Sequence, residues 1–187
     1  MSNALDEKQD TYHIELGGVT RELPLVQPTP NTRLPLVELL GDVELTRAAA
    51  QELQKLLPAE TELLFTCETS SISLVHVLSE LTGLPYEVAR KRRRPYMQEP
   101  LIQEVASMTL GVNETLWLGS RRAENLKGRN VGVILDVVSS GGTLQALEKL
   151  VQRAGGSICC RLAAFTQGKP GVPVTSLQEL PRISLAK

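Results

Sequence analysis

The sequence predicts an α/β fold, a parallel sheet flanked by helices on both faces, on three observations. From residue 63 onward, short apolar runs alternate with amphipathic segments. The runs are apolar almost throughout, as in strands buried on both faces. One of them, Val131–Val138, leads through the glycine-rich turn Ser139-Ser140-Gly141-Gly142-Thr143 into a helical pattern.

The elements follow in order. Residues 1–10 (MSNALDEKQD) are polar and read as a disordered tail without the apolar core of a signal peptide. Tyr12–Leu16 is a short strand broken by Gly17-Gly18. Four prolines keep Val19–Leu36 extended or looped. Asp42 is the expected N-cap of a helix to about Leu57, with Val43, Leu53, Leu56 and Leu57 on its apolar face and Pro58 as its stop. Leu63–Cys67 is a strand. Ile72–Leu81 is a helix with Ile72, Val75, Leu78 and Leu81 on one face, ended by Gly83. Tyr86–Ala89, Thr115–Leu118, Val131–Val138 and Ile158–Phe165 are further strands, and Leu144–Ala154 is a helix ended by Gly155-Gly156. Residues 11–187 are expected to form one domain.

The 187 residues are 42% apolar and 22% charged, the balance of a globular protein. Twenty Lys and Arg against twenty-one Asp and Glu give a formal charge of −1. That argues against a nucleic-acid or anionic-lipid grip and for a small-molecule partner. The three cysteines, Cys67, Cys159 and Cys160, lack C-x-x-C spacing, against a disulfide framework or a zinc site. Adjacent on a strand, Cys159 and Cys160 are expected on opposite faces. No run approaches the roughly 20 apolar residues that cross a bilayer. A cytoplasmic setting and no membrane partner are expected.

Ligands of open parallel sheets bind beyond the carboxyl ends of the strands. There the turn after Val138 offers hydroxyls at Ser139, Ser140 and Thr143, and glycines at 141 and 142 let the backbone wrap an anion. It opens a helix whose free N–H groups and dipole favour phosphate. Asp136 is the lone acid of the preceding strand.

VGVILDVVSSGGTLQAL resembles the phosphoribosyl-pyrophosphate motif of type I phosphoribosyltransferases: a strand, two adjacent acids and an (S/T)-x-G-G-T loop. Asp136 matches the second acid, and Leu135 stands at the first. ELGGVTRELPL followed by LLGDVEL resembles the N-terminal part of the adenine phosphoribosyltransferase-like branch. TCETSSISL lies where such proteins carry a pyrophosphate loop, with Ser70 and Ser71 where a basic residue and a glycine are common. PYEVARKRRRP resembles the strand whose Arg-Lys end reaches the diphosphate.

The resemblance implies the type I phosphoribosyltransferase fold with a small hood from about 11–40. It also implies transfer of ribose 5-phosphate from phosphoribosyl pyrophosphate to a purine base, with release of pyrophosphate. Ser139, Ser140, Gly141, Gly142 and Thr143 would hold the 5-phosphate, and Asp136 the ribose. Arg90 and Lys91, with Thr69, Ser70 and Ser71, would hold the pyrophosphate. Val137 would lie against the base, and Val19 and Arg21 would belong to the hood over it. Mg²⁺ would arrive on the substrate, with Glu68 as the candidate protein carboxylate. A homodimer is implied by the family.

Glu68 reads equally as a site carboxylate or as a cap of the following turn. Arg92–Arg94 read as surface, or as the root of a mobile loop reaching about Gly111 and closing over the site. Trp117 reads as core or interface. His76 and His13 carry no metal spacing, and Cys67 reads as a buried thiol. Two other classes stay open. One is a sensor that binds phosphoribosyl pyrophosphate or a nucleotide without turnover, suggested by Leu135, Ser70 and Ser71. The other is a nucleic-acid regulator using the arginine run, against which the charge balance stands.

Overall fold

The computed structural model describes residues 11–106 and 114–185. The chain opens with Thr11–Leu16 (β1), Val19–Thr29 (β2) and Thr32–Pro35 (β3), an antiparallel meander turning at Gly17-Gly18. The helix Val43–Gln54 (α1) is N-capped by Asp42, whose Oδ1 accepts the Leu45 N–H at 3.0 Å. Then come Leu63–Cys67 (β4), Ser71–Thr82 (α2), Tyr86–Ala89 (β5), Leu101–Val105 (β6), Glu114–Leu118 (β7) and Ser120–Leu126 (α3). The last elements are Asn130–Val138 (β8), Gly142–Arg153 (α4), Ser157–Gln167 (β9), Thr175–Leu180 (β10) and Ile183–Ser184 (β11).

Five strands form a sheet in the order β10-β9-β8-β4-β5, with every neighbouring pair parallel. Two apolar clusters cover its faces. Leu63, Phe65, Val133 and Leu135 pack with Leu144, Leu147 and Val151 of α4 on one face. Leu64, Ile134 and Phe165 pack on the other with α1, α2 and Ile14 and Leu23 of the hood. Strand neighbours 63/64 and 134/135 thus divide between the faces, which is why these runs are apolar throughout. The order reverses direction at β8 and β4, and their carboxyl ends are where a crevice opens. The hood sheet runs β1-β2-β3-β11, so chain beyond β10 returns to complete it.

Several expectations are corrected. Helix α1 ends at Gln54, short of Leu56 and Leu57; its buried stripe is Leu45, Ala49 and Leu53, at spacings of four, while Val43 and, beyond the helix, Leu56 are 67% and 42% exposed. The small side chains of Ala48–Ala50 bring that helix face onto the sheet, a signal that apolar bulk alone does not carry. On α2, Leu74 is buried and Leu81 is exposed. The segment from Arg92 to Gly111 is not one loop, since Leu101–Val105 is a strand paired antiparallel with β7. Residues 107–113 lie outside the described residues, as does the expected tail 1–10. Cys159 and Cys160 do not face opposite sides. A bulge leaves Cys159 between the pairs Ile158–Val131 and Cys160–Gly132, and both sulfurs lie beside Thr61. The strands β6, β10 and β11 and helix α3 have no counterpart in the sequence reading.

Candidate active site

Two strand-to-helix turns meet at the carboxyl edge of the sheet, one after β8 and one after β4. In the first, Gly141 takes φ +91°, and a Cβ there would lie 2.6 Å from Val172 Cγ2. A Cβ on Gly142 would lie 2.2 Å from the Ala106 carbonyl oxygen. Both glycines are therefore demanded by space, the first also by its backbone. Ser140 accepts the Gly171 N–H through its carbonyl at 3.0 Å, which fixes the far wall of the turn. Gly141, the N-cap of α4, has no side chain to cap it, and only a long 3.5 Å contact from the Gly142 N–H to Ser140 Oγ engages the first turn, which leaves most of its N–H groups for an anion.

Asp136 sits just before this turn and is held from the other one. Ser71, 3% exposed in the first turn of α2, donates its hydroxyl to Asp136 Oδ1 at 2.7 Å and accepts the Asp136 N–H at 3.1 Å. Leu135 points away into the α4 cluster, also 3% exposed. A carboxylate there would meet apolar side chains.

The β4–α2 turn contains a cis Glu68–Thr69 peptide bond. Ser70 precedes α2 without a side-chain cap, its carbonyl accepting the Ser73 hydroxyl at 2.9 Å, and the Thr69 carbonyl accepts the Ile72 N–H at 3.2 Å. Glu68 gathers the cations. Its Oε1 accepts from Arg90 Nη1 at 2.5 Å and Arg94 Nη2 at 3.3 Å, and its Oε2 accepts the Lys91 N–H at 2.8 Å. Burial pushes the Glu68 carboxyl upward, but the Lys91 N–H and the Arg90 guanidinium outweigh it and hold the group below the usual carboxylate range. Lys91 Nζ pairs with Glu114 at 3.1 Å. Arg94, read from sequence as surface or as the root of a loop, keeps a half-exposed side chain and also joins this cluster.

With three donors on its two oxygens, Glu68 is poorly disposed to ligate a metal. Among the described residues no group of three His, Cys, Asp or Glu side chains could cage one. Cys67, beside Glu68, is buried, and that burial pushes its thiol up to about 12.

Val137 and Val19, expected from the sequence beside the base, pack against the same apolar cluster, on the face shared by α1, α2 and the hood. Arg21 serves a different partner. Its Nε and Nη2 bind Asp42 at 2.7 and 2.9 Å, and Nη2 also reaches Glu44 at 2.8 Å. It ties β2 to the start of α1, and Asp42 in turn is held below the ordinary carboxylate range chiefly by the Arg21 hydrogen bond.

Arg182 is the residue that the sequence reading missed. Its Nη2 donates to Ser139 Oγ at 2.5 Å, across 43 residues of sequence, and no local motif announces it. A cavity of about 920 Å³ runs along β5 and α3 and borders the Glu68 cluster at Arg90. It is lined by Arg90, Tyr96, Arg121, Arg122 and Asn125 among others, but by no residue of the Ser139–Thr143 turn. Arg122 and Asn125 bind the buried Glu87 on that side at 2.8 and 2.6 Å.

No protein-family model matches the chain. It is 30% identical over 161 residues to the hypoxanthine/guanine phosphoribosyltransferase of Methanococcus maripaludis strain C6, covering 86% of this chain and 75% of that one. Identity is also 30% over 151 residues to the enzyme of the same name from Methanococcus vannielii, covering 81% and 70%. The fold matches the crystal structure of adenine phosphoribosyltransferase from Thermoanaerobacter pseudethanolicus with a TM-score of 0.66 at 19% identity, covering 91% and 95%. It likewise matches the Giardia lamblia enzyme complexed with 9-deazaadenine, with a TM-score of 0.64 at 15% identity, covering 84% and 93%.

Proposed function

The chain belongs to the type I purine phosphoribosyltransferases, and from that premise we propose that it makes purine nucleotides from phosphoribosyl pyrophosphate. A purine ring nitrogen bonds to ribose C1, the bond from C1 to the pyrophosphate oxygen breaks with its electron pair leaving on pyrophosphate, and the N–H proton of the base passes to water. The names of these relatives support hypoxanthine and guanine as the bases.

The observation that carries this reading is the coupling of the two turns through Ser71 and Asp136. The turn Ser139-Ser140-Gly141-Gly142-Thr143 holds the 5-phosphate on backbone N–H groups at the start of α4. Asp136, oriented by Ser71, faces the ribose, where positive charge develops. Thr69, Ser70, Arg90 and Lys91 take the pyrophosphate, on which negative charge grows, and the substrate's phosphates then compete with Glu68 and Glu114 for those cations. Mg²⁺, carried on the substrate, supplies charge neutralisation at the phosphates. Val137 and Val19 flank the base. Arg21 supports the hood from behind, through α1.

All three cysteines are free thiols, in keeping with a reducing cytoplasm. The family resemblance supports a homodimer, which light scattering on the purified protein reads directly. No observation favours a sensor without turnover. Steady-state pyrophosphate release with each purine tests the reading. Release is expected with hypoxanthine or guanine, and Asp136→Asn is expected to slow it on the order of a hundredfold. Unchanged turnover in that variant would remove Asp136 from the reaction.

A further inference from the structure

We infer that Arg182 selects the purine, its guanidinium donating to the O6 and N7 acceptors of a 6-oxopurine and excluding adenine. The inference rests on the phosphoribosyltransferase reading above. Pro181 and Arg182 are the whole link between β10 of the parallel sheet and β11 of the hood. Arg182 crosses Gly168, which follows β9 with φ +78°; a Cβ on that glycine would lie 2.9 Å from Arg182 Nε and 3.0 Å from its Cδ. Glycine at 168 is what lets the arginine lie across the strand end and reach Ser139. Among the described residues no carboxylate pairs with it, although most arginines around the site have one. Of its five N–H donors one is used, which leaves four for a ligand.

The side of approach decides which part of the substrate it meets. Helix α4, whose N-terminus takes the phosphate, packs on one face of the sheet. The hood, Val19 and Val137 lie on the other. Arg182 comes to Ser139 from the hood link, hence from the side of the base. A guanidinium carries donors only. The O6 and N7 of guanine or hypoxanthine are adjacent acceptors that match its fork, whereas adenine puts a donor amino group in place of O6. With adenine, N–H would face N–H.

The test is the ratio of kcat/KM for guanine to that for adenine in wild type, Arg182→Met and Arg182→Lys. Met keeps the stem over Gly168 and removes every donor. The wild type is expected to favour guanine, and Arg182→Met to lower the ratio about 10- to 100-fold, beyond any change in the KM for phosphoribosyl pyrophosphate that both bases share. Arg182→Lys is expected to retain part of the preference. Equilibrium binding of guanosine and adenosine 5′-monophosphates reads the same ratio without turnover. The 7-deaza analogue of the guanosine nucleotide, lacking the N7 acceptor, is expected to bind the wild type more weakly and to be matched by the parent nucleotide in Arg182→Met. An equal loss for both bases, an unchanged ratio, a wild type that prefers adenine, or a rise confined to the KM for phosphoribosyl pyrophosphate would each overturn the inference. A wild type that binds guanosine monophosphate selectively but forms no nucleotide would instead overturn the phosphoribosyl-transfer reading and leave the role of Arg182 standing.

Discussion

Asp136 and Ser71 lie 65 residues apart in sequence and exchange two hydrogen bonds, so each turn of the site is registered on the other. Ser71→Ala leaves the Asp136 N–H and one carboxylate oxygen short of a partner. It is expected to lower stability by about 1–3 kcal/mol, read by thermal unfolding, and to lower kcat/KM while the circular dichroism spectrum stays native. Gly142→Ala drives a methyl into the Ala106 carbonyl and is expected to cost about 1–3 kcal/mol and weaken binding of phosphoribosyl pyrophosphate. The sequence showed Asp136 and the glycines because they sit in one short motif. It did not show what Ser71 is for, because a serine standing in place of a glycine reads as a loss until its hydroxyl is seen on Asp136. Leu135 read in the same way as a missing acid, yet strand alternation turns that position into the core. Arg182 was illegible for a plainer reason, since only the fold brings it to Ser139.

At the scale of elements, Glu68 binds the β4–α2 turn to the end of β5 and to the turn carrying Arg94. Its folded-state carboxyl lies below its unfolded value, so the protonated form is the one that folding disfavours. The stability this cluster adds is present above the unfolded carboxylate pKa and is lost as pH falls through the folded one. Melting temperatures measured against pH are expected to drop on the acid side in the wild type, with a shallower drop in Glu68→Gln. An identical acid limb in both would remove the cluster from the pH response. Leu53→Ala on α1 is expected to cost about 2–5 kcal/mol and Leu56→Ala, just past its C-terminus, within about 0.5 kcal/mol, a contrast that chemical denaturation resolves. The parallel strands were legible because burial on both faces writes a continuous apolar run. The hairpin of β6 and β7 was half legible, since LIQEV mixes polar residues into a strand exposed on one side. Helix α3, with seven residues, is too short to show a period.

Across the whole molecule, the sheet separates the α4 face, proposed to take the phosphate, from the face built on α1, α2 and the hood, proposed to take the base. The substrate proposed here spans both at the carboxyl edge. The hood is closed by β11, which reaches it through Arg182, so the first and last described strands share one sheet. A ligand that binds only the folded protein adds about 2.7 kcal/mol at a hundred times its Kd, and guanosine monophosphate is expected to raise the melting temperature accordingly. The most direct measurement follows the reaction itself, by chromatography of the products formed from phosphoribosyl pyrophosphate, Mg²⁺ and guanine or hypoxanthine. The account predicts the matching 5′-mononucleotide together with equimolar pyrophosphate. Phosphoribosyl pyrophosphate that binds and raises the melting temperature, yet yields no nucleotide with any purine, would contradict it.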